Sequence, residues 1–386
     1  MKEVAIVSAV RSPFGKIGGM LSGLDPFALT TPVLNEAVRR AGIKQEEIDE
    51  VLFSSCITIQ AVGGRPYALE AGFPISVPGM AISRGCGSTI TSAAIAASMI
   101  KSGMGDTYLV AGQESNSQGA FMLERPTKAN PMQPPKFLRD YISPPCYDNE
   151  PMGLTAERVA ELYGITREEC DQFACWSQEK AKRAWESGFY NDQVLPYEVS
   201  INKQKVTVQQ DETLRPTTME GLSRLKPAFK ANGVCTAGNS SPVGDGVSAL
   251  VMMDKEKAVA MGLDILATFR DYVVIGRDPR TMGLGPVDAT RKILDKNHMT
   301  FNDIDIIELN EAFAAQTLGC LREMDFPREK LNIYGGALAL GHPTAATGGM
   351  LITKACYAFR QTGAQRALIT FCIGGGMGVA CLIENC

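Results

Sequence analysis

The chain has 386 residues, of which 45% are hydrophobic and 21% charged, a composition typical of a soluble globular protein with two or three domain-sized units. Its net charge of −4 gives no general attraction to nucleic acid or to an anionic membrane, so we expect neither as a partner. No apolar run approaches the roughly 18 residues of a membrane span. We also expect no signal or transit segment, because residues 3–8 already have the pattern of a strand.

Two parts of the chain repeat the same order of predicted elements. A helix within residues 26–49 and a strand over 50–53 return as a helix over 288–303 and a strand over 304–309. After Cys86, and again after His342, a helix rich in small residues precedes an apolar strand. These helices are 92–103 and 348–359, and these strands are 107–112 and 366–371. The alternation predicts two similar α/β halves with mixed or parallel sheets covered by helices.

Residues 117–245 separate the halves and have a different composition. Two charged amphipathic helices are predicted there, over 155–163 and 167–187, the second with a stop at Gly188. Basic residues, including Arg215, cluster in the same stretch. Because long insertions in compact domains are commonly functional, we interpret this stretch as a cover over a ligand site.

Cys86 is the first candidate for a reactive group. Gly85 and Gly87 flank it between a short strand and a helix, which permits a tight turn that exposes the sulfur at the helix N-terminus. There the helix dipole should stabilise the thiolate and lower its pKa. The alternative is a structural cysteine, which is the expectation for most of the eleven scattered cysteines. Their odd number and the absence of a Cys-x-x-Cys pair argue against disulfides or a metal site, and favour a cytoplasmic location.

The chain has only two histidines, His298 and His342, so the choice of a histidine base for a thiol lies between them. His342 lies in a Gly-His-Pro turn that opens a helix, as the Cys86 turn does. His298 lies in a polar passage and is interpreted as a loop residue.

Two further candidates follow apolar strands in the second half. Cys372 precedes three glycines, whose backbone N–H groups can approach a ligand closely and form an oxyanion hole. A tight turn beside a core cysteine explains the same pattern. Asn310 ends the strand over 304–309, where its amide either caps the next helix or positions a water or a carbonyl.

With these residues in place, the chain resembles the thiolases over nearly its whole length. The segments that carry the resemblance are 7–15, the Cys86 turn, 112–115, 152–157, 236–239, 310–313, 341–343 and 372–376. The resemblance implies two similar halves in a thiolase-like αβαβα sandwich, with two mixed five-stranded sheets and an inserted loop domain. The expected domains are 1–116 with 246–266 as the N-terminal half, 117–245 as the insertion that covers coenzyme A, and 267–386 as the C-terminal half.

The resemblance also implies roles for the candidate residues. Cys86 would be the nucleophile that takes the acyl group, His342 its activating base, and Cys372 the acid/base that acts on the acetyl-CoA enolate. Asn310, through a water, and His342 would form one oxyanion hole. The backbone N–H groups of Cys86 and Gly374 would form the other. Charge develops on two thioester oxygens in Claisen chemistry, so two sets of donors are needed.

Coenzyme A is implied as a co-substrate, with no permanently bound cofactor. Arg215 matches a position near its nucleotide, and Ser241 and Phe229 match positions near the pantetheine. Met152, Met282 and Phe313 match positions that line the acyl and pantetheine tunnel. The chain departs from the family at Pro151, where a histidine is common, and at Thr89 and Pro242, where a small residue or glycine is usual. All three are expected near this tunnel, which suggests altered acyl specificity.

The implied activity is thiolytic cleavage of a 3-ketoacyl-CoA, its reverse Claisen condensation, or both, as in fatty acid metabolism and β-oxidation. A specialised thiolase for a bulky, aromatic or dicarboxylic substrate, with or without a small partner subunit, stays open. Less favoured are a non-catalytic acyl-CoA-binding subunit, because no reactive residue is missing, and a decarboxylating condensing enzyme, which would need a second active-site histidine. A homodimer or homotetramer is expected.

Overall fold

A computed structural model describes residues 2–57, 63–124, 134, 136–138 and 141–386. The strands are β1 (Val4–Arg11), β2 (Gly15–Lys16), β3 (Glu50–Ser54), β4 (Gly79–Ile82), β5 (Thr107–Ser115), β6 (Tyr197–Ile201), β7 (Gln204–Val208), β8 (Gly244–Asp254), β9 (Ala267–Gly276), β10 (Ile306–Leu309), β11 (Arg366–Ile373) and β12 (Met377–Glu384). The helices are α1 (Pro26–Ala41), α2 (Gly64–Glu70), α3 (Ser88–Ser102), α4 (Met152–Tyr163), α5 (Arg167–Glu186), α6 (Met219–Ser223), α7 (Lys255–Ala260), α8 (Gly285–Lys296), α9 (Ala314–Glu323), α10 (Ala337–Leu340) and α11 (Thr347–Thr362). No described helix is long and apolar enough to cross a membrane.

The predicted internal repeat is present in the strand pairing. In the first half the order is β4-β3-β5-β8-β1, with parallel pairs up to β5 and antiparallel pairs beyond it. In the second half β10-β11-β12-β9 has the same order and the same directions. A single parallel bridge between Ile307 and Leu331 stands where β4 stands in the first half.

The sequence had led us to expect two separate sheets, but the structure joins them. Two residue pairs between β1 and β9, Ala5 with Thr268 and Ile6 with Ala267, join them into one ten-stranded sheet over the described residues. The equivalent edge strands of the two halves therefore meet, which sequence pattern alone does not reveal.

Helices α3 and α11 pack against each other and against strands of the sheet, while α1 and α8 lie against β1, β8, β9 and β12. Glycines permit the close approach of α3 and α11, since a Cβ atom on Gly348 would lie 2.9 Å from the backbone nitrogen of Ile90. This contact places the starts of α3 and α11, and hence the Cys86 and His342 turns, next to each other.

The helix boundaries largely follow the sequence signals. α1 ends at Ala41 with Gly42 in the left-handed region, and α5 begins after a capping box formed by Thr166 and Glu169. One prediction was too long: α8 ends at Lys296 and not at residue 303, because the chain turns at His298 with a φ of 55°.

The insertion between β5 and β8 contains α4, α5, α6 and the β6–β7 hairpin. It is tied to the first half by a buried ion pair in which the guanidinium of Arg11 donates to both carboxylate oxygens of Asp211, at 2.6 and 2.8 Å. Residues 125–133, 135 and 139–140 of the insertion lie outside the described residues.

Candidate active site

Cys86 is buried in the turn between β4 and α3. Gly85 adopts a φ of 52°, which glycine reaches without steric cost. Gly87 approaches the second half so closely that a Cβ atom there would lie 2.6 Å from Ile373, the neighbour of Cys372. The backbone geometry of the turn therefore favours glycine at position 85, and Gly87 packs closely against the Ile373 side chain.

Burial raises the pKa of the Cys86 thiol to about 11. The nearby backbone N–H groups of Gly374 and Cys86 lower this pKa, but by less than burial raises it. The expectation that the helix N-terminus gives a low pKa was therefore wrong for the resting protein. The sulfur rests as a thiol, so it needs a base before it can act as a nucleophile.

His342 follows Gly341, whose φ is 96°, and its backbone N–H donates to the carbonyl of Pro242 at 2.9 Å. Its Nδ1 lies 2.6 Å from the hydroxyl of Thr347, and that hydroxyl donates to the carbonyl of Pro343 at 3.0 Å. Because the hydroxyl proton is used in this way, Nδ1 carries the proton of the imidazole and donates it to Thr347. Nε2 is left with a free lone pair, which is the state a base needs.

The Nε2 atom of His342 is buried and has no hydrogen-bond partner among the described residues. Burial also lowers the pKa of His342 to about 4, so the imidazole is neutral at physiological pH. The other histidine, His298, lies on the exposed turn after α8 and takes no part in the site.

Cys372 is fully buried near the end of β11, and its glycine-rich turn leads into β12 with positive φ at Gly375 and Gly376. Burial raises the pKa of the Cys372 thiol well above its ordinary value, and the nearby Cys86 sulfur raises it further. The structure therefore brings both thiols and the Gly374 N–H group together, as the sequence predicted.

Asn310 lies directly after β10, where its backbone N–H donates to the carbonyl of Thr370 at 3.0 Å. The side-chain Oδ1 and Nδ2 atoms are buried without a hydrogen-bond partner among the described residues. Asn310 does not cap the next helix, because α9 begins at Ala314 and has Phe313 in the N-cap position. A buried amide with both atoms unsatisfied is costly unless a water or ligand completes it.

The residues matched to acyl and pantetheine positions lie close to this site. Met152, Met282 and Gly374 line one small cavity, which extends to the Tyr147 and Arg280 side chains. Phe229 and Phe313 form an edge-to-face pair with ring centroids 5.8 Å apart. The backbone N–H of Ser241 donates to the carbonyl beside Phe313, that of Ala312, at 2.9 Å.

Arg215 lies in a separate surface cavity of about 280 Å³, which it shares with Thr218, Leu222 and Leu225. The structure thus divides the six matched residues between an outer region around Arg215 and an inner region beside the thiols.

The three departures lie in different places around the site. The hydroxyl of Thr89, fully buried, donates to the carbonyl of Ala345 in the His342 turn. Pro242 accepts the backbone N–H of His342 itself. Pro151 precedes α4 and is exposed beside Met152, in agreement with a tunnel position.

Sequence reasoning assigned no role to Thr347 or Glu114. Thr347 begins α11. The signal in the sequence was a threonine at the start of this helix, five residues after the candidate base His342. Glu114 belongs to a segment that carries the resemblance. Its buried carboxylate accepts the backbone N–H groups of Cys56 and Ala345, at 2.9 and 3.1 Å.

Comparisons with known proteins identify the family of the chain. The family model "Thiolase, N-terminal domain" matches residues 4–256, and "Thiolase, C-terminal domain" matches residues 263–385. The acetyl-CoA acetyltransferase of Syntrophomonas wolfei is 38% identical, over 99% of both chains. A β-ketoadipyl-CoA thiolase of Escherichia coli is 40% identical, over the whole of both chains. A crystal structure of human mitochondrial 3-ketoacyl-CoA thiolase in complex with CoA has a TM-score of 0.93 and 34% identity, and covers 100% of this chain and 98% of its own.

The chain belongs to the thiolase family. It is an acyltransferase that uses coenzyme A as a co-substrate.

Proposed function

We propose that the protein cleaves a 3-ketoacyl-CoA with coenzyme A, or catalyses the reverse Claisen condensation, through an acyl group on Cys86. The observation that carries this proposal is the buried Cys86 thiol, which has the N–H groups of Cys86 and Gly374 and a second buried thiol, Cys372, near it. The neutral His342, with a free Nε2 lone pair, supplies the base that such a thiol needs.

In the first step Nε2 of His342 accepts the Cys86 proton as the sulfur attacks the 3-keto carbonyl. The N–H groups of Cys86 and Gly374, which lie near the sulfur, would stabilise the resulting oxyanion. The bond between C2 and C3 then breaks. The acyl group stays on Cys86, and acetyl-CoA leaves as an enolate.

Cys372 gives its proton to C2 of this enolate. Its high pKa suits a group that must donate to a carbanion and take a proton back in the synthetic direction. The enolate oxygen would accept from the protonated His342 and from a water held by Asn310, whose amide is otherwise unsatisfied.

The thiol of coenzyme A finally attacks the acyl thioester. Its proton restores the Cys372 thiol, His342 returns its proton to Cys86, and the shortened acyl-CoA leaves. For coenzyme A we propose Arg215 at the nucleotide end and Phe229 and Ser241 along the pantetheine.

For the acyl group we propose a 3-ketoacyl chain bulkier than acetoacetyl. Support comes from Pro151, which is exposed beside Met152 at a position where the family commonly has a histidine. Met152, Met282 and Phe313 would line the acyl tunnel. A panel of 3-ketoacyl-CoAs tests this, and a clear preference for acetoacetyl-CoA over every longer or branched analogue would contradict it.

We propose that the protein forms a homo-oligomer in the cytoplasm. Within the described residues, β4 pairs on one side only, with β3, and Met80 on it is 38% exposed. An open edge strand with apolar side chains is typical of a subunit contact. Light scattering tests the oligomeric state, and co-purification tests for a small accessory subunit.

The main experiment is capture of the acyl-enzyme. Incubation with an acyl-CoA should add one acyl group, found at Cys86 by peptide mass spectrometry and absent from Cys86→Ser. Cys235→Ser, at a buried thiol in the insertion, should be acylated like the wild type. An acyl group on another cysteine, or none with any acyl-CoA, would refute the proposed function.

A further inference from the structure

The backbone of Ala345 is held at both its N–H group and its carbonyl by side chains of the first half. Its carbonyl accepts the hydroxyl of Thr89 from α3, and its N–H donates to Glu114 at the end of β5, at 3.1 Å. The next carbonyl, of Ala346, accepts the hydroxyl of Ser248 from β8 at 2.7 Å. All three side chains are fully buried, so water does not compete for these bonds.

These bonds lie between the two reacting residues. Thr89 is three residues after Cys86, and Ala345 is three residues after His342. The hydrogen bond between Thr89 and Ala345 therefore connects the Cys86 and His342 turns within three residues of the sulfur and of the imidazole. The contact is tightly packed, because a Cβ atom on Gly112 would lie 2.3 Å from the Ala345 carbonyl. A close-packed turn of this kind cannot move without breaking its hydrogen bonds.

We propose that Thr89 is a positioning residue: its hydroxyl, with the Glu114 carboxylate, fixes the His342 turn against the Cys86 helix and so sets the distance between base and nucleophile. This inference rests on the proposed function, in which His342 takes the proton of Cys86. It also gives a role to Thr89, which stands where thiolases usually have a smaller residue. In proton transfer, a misplacement on the order of 1 Å is expected to cost up to about 10²-fold in rate.

A structural role alone would predict a different result, so the test compares two buried threonines. Thr89→Val keeps the volume of the side chain and removes the hydroxyl that binds Ala345. Thr353→Val is the matched control: Thr353 is equally buried, and its hydroxyl donates to the Gly349 carbonyl at 2.7 Å within α11. Each variant loses one buried hydrogen bond to a backbone carbonyl, but only the first loses a bond between the halves.

The measurements are the rate of Cys86 acylation by an acyl-CoA and the rate of Cys86 alkylation by iodoacetamide from pH 7 to pH 10. Thr89→Val should lower both rates about tenfold or more at pH 7, and Thr89→Ser should restore them to within about threefold. The alkylation deficit should shrink towards pH 10, because hydroxide then removes the proton that His342 no longer reaches. Thr353→Val should match the wild type. If Thr89→Val does not fold, Thr89→Ala replaces it, since it removes the hydroxyl without adding bulk.

Equal rates in Thr89→Val and Thr353→Val would overturn the inference. So would a deficit that Thr89→Ser does not repair, or one that is the same at every pH. If no acyl-CoA acylates the wild type but the pH-dependent alkylation deficit is present, the proposed function fails while the positioning role of Thr89 stands.

Discussion

Thr347 holds the imidazole of His342 in a single tautomer. Its Oγ1 atom lies 2.6 Å from Nδ1 and donates its own proton to the Pro343 carbonyl, so the imidazole proton must be on Nδ1. The free lone pair on Nε2, the atom without a partner, follows from this one contact.

Removal of the Thr347 hydroxyl should therefore impair the base. We predict that Thr347→Val lowers kcat/KM by about ten- to a hundredfold, less than the roughly 10²–10⁴-fold for complete loss of general-base catalysis, because the imidazole itself is retained. Thr347→Ser keeps the hydroxyl and should retain most of the activity. Steady-state kinetics with one 3-ketoacyl-CoA would decide, and a fully active valine variant would show that the tautomer does not depend on Thr347.

The resting thiol should be reactive only at alkaline pH. The pKa of Cys86 is raised to about 11, so roughly one molecule in 10⁴ carries the thiolate at pH 7 and the fraction rises tenfold per pH unit. Alkylation of Cys86 by iodoacetamide without substrate should therefore be slow at pH 7, where only the path assisted by His342 operates, and should rise towards pH 10 as the direct thiolate path overtakes it. Fast alkylation at pH 7 that does not rise up to pH 10 would mean that the resting sulfur is already a thiolate.

The acid side of the activity profile should reflect His342. Its pKa is lowered to about 4, so the imidazole stays neutral until the pH falls below about 5. The acid limb of kcat/KM should therefore lie near pH 4 to 5 if the protein remains folded, which circular dichroism would check. A limb near pH 6.5 would indicate a solvated histidine.

Asn310 should matter for the enolate and not for acylation. We predict that Asn310→Ala still acquires the acyl group on Cys86 but loses about 10²–10³-fold in condensation, as for loss of one oxyanion donor. Asn297→Ala removes an amide after α8 that binds Asp271, and it should leave both steps unchanged. An Asn310 variant that condenses at the wild-type rate would exclude the role.

Cys372 should transfer protons to and from the α-carbon of acetyl-CoA, and it should not be needed to form the acyl-enzyme. Cys372→Ser should still be acylated at Cys86 but should lose exchange of the acetyl-CoA α-protons, measured by NMR in deuterated buffer. Cys320→Ser, at another buried thiol near Cys372, provides a control that should exchange normally. Exchange at the wild-type rate in the Cys372 variant would contradict the assignment.

The insertion should depend on the buried pair of Arg11 and Asp211. Asp211→Ala leaves the guanidinium buried without its carboxylate partner and should lower the free energy of unfolding by about 3–5 kcal/mol. Glu220→Ala breaks the exposed pair with Arg224 and should not change the urea midpoint measurably. Equal midpoints for the two variants would show that Arg11 finds other partners.

The sequence by itself determined the duplicated fold and the choice of candidate reacting groups. Helix ends at Gly42 and after Thr166, apolar strands, and glycines around Cys86 and Cys372 are local signals. The structure confirms them because propensity, capping and turn geometry act over a few neighbouring residues. The presence of only two histidines made the choice of His342 a matter of composition.

Tertiary structure alone decided how those groups behave. The Cys86 pKa is raised and not lowered because burial by distant segments outweighs the local N–H groups. Asn310 is an unsatisfied amide and not a helix cap, because its buried side chain has no hydrogen-bond partner among the described residues and α9 begins only at Ala314. Thr89 bonds Ala345, 256 positions away in the chain, and so lies between the halves and not in the tunnel. Burial and hydrogen bonding of this kind depend on residues brought together only by folding, and the sequence pattern of either segment contains no record of the other.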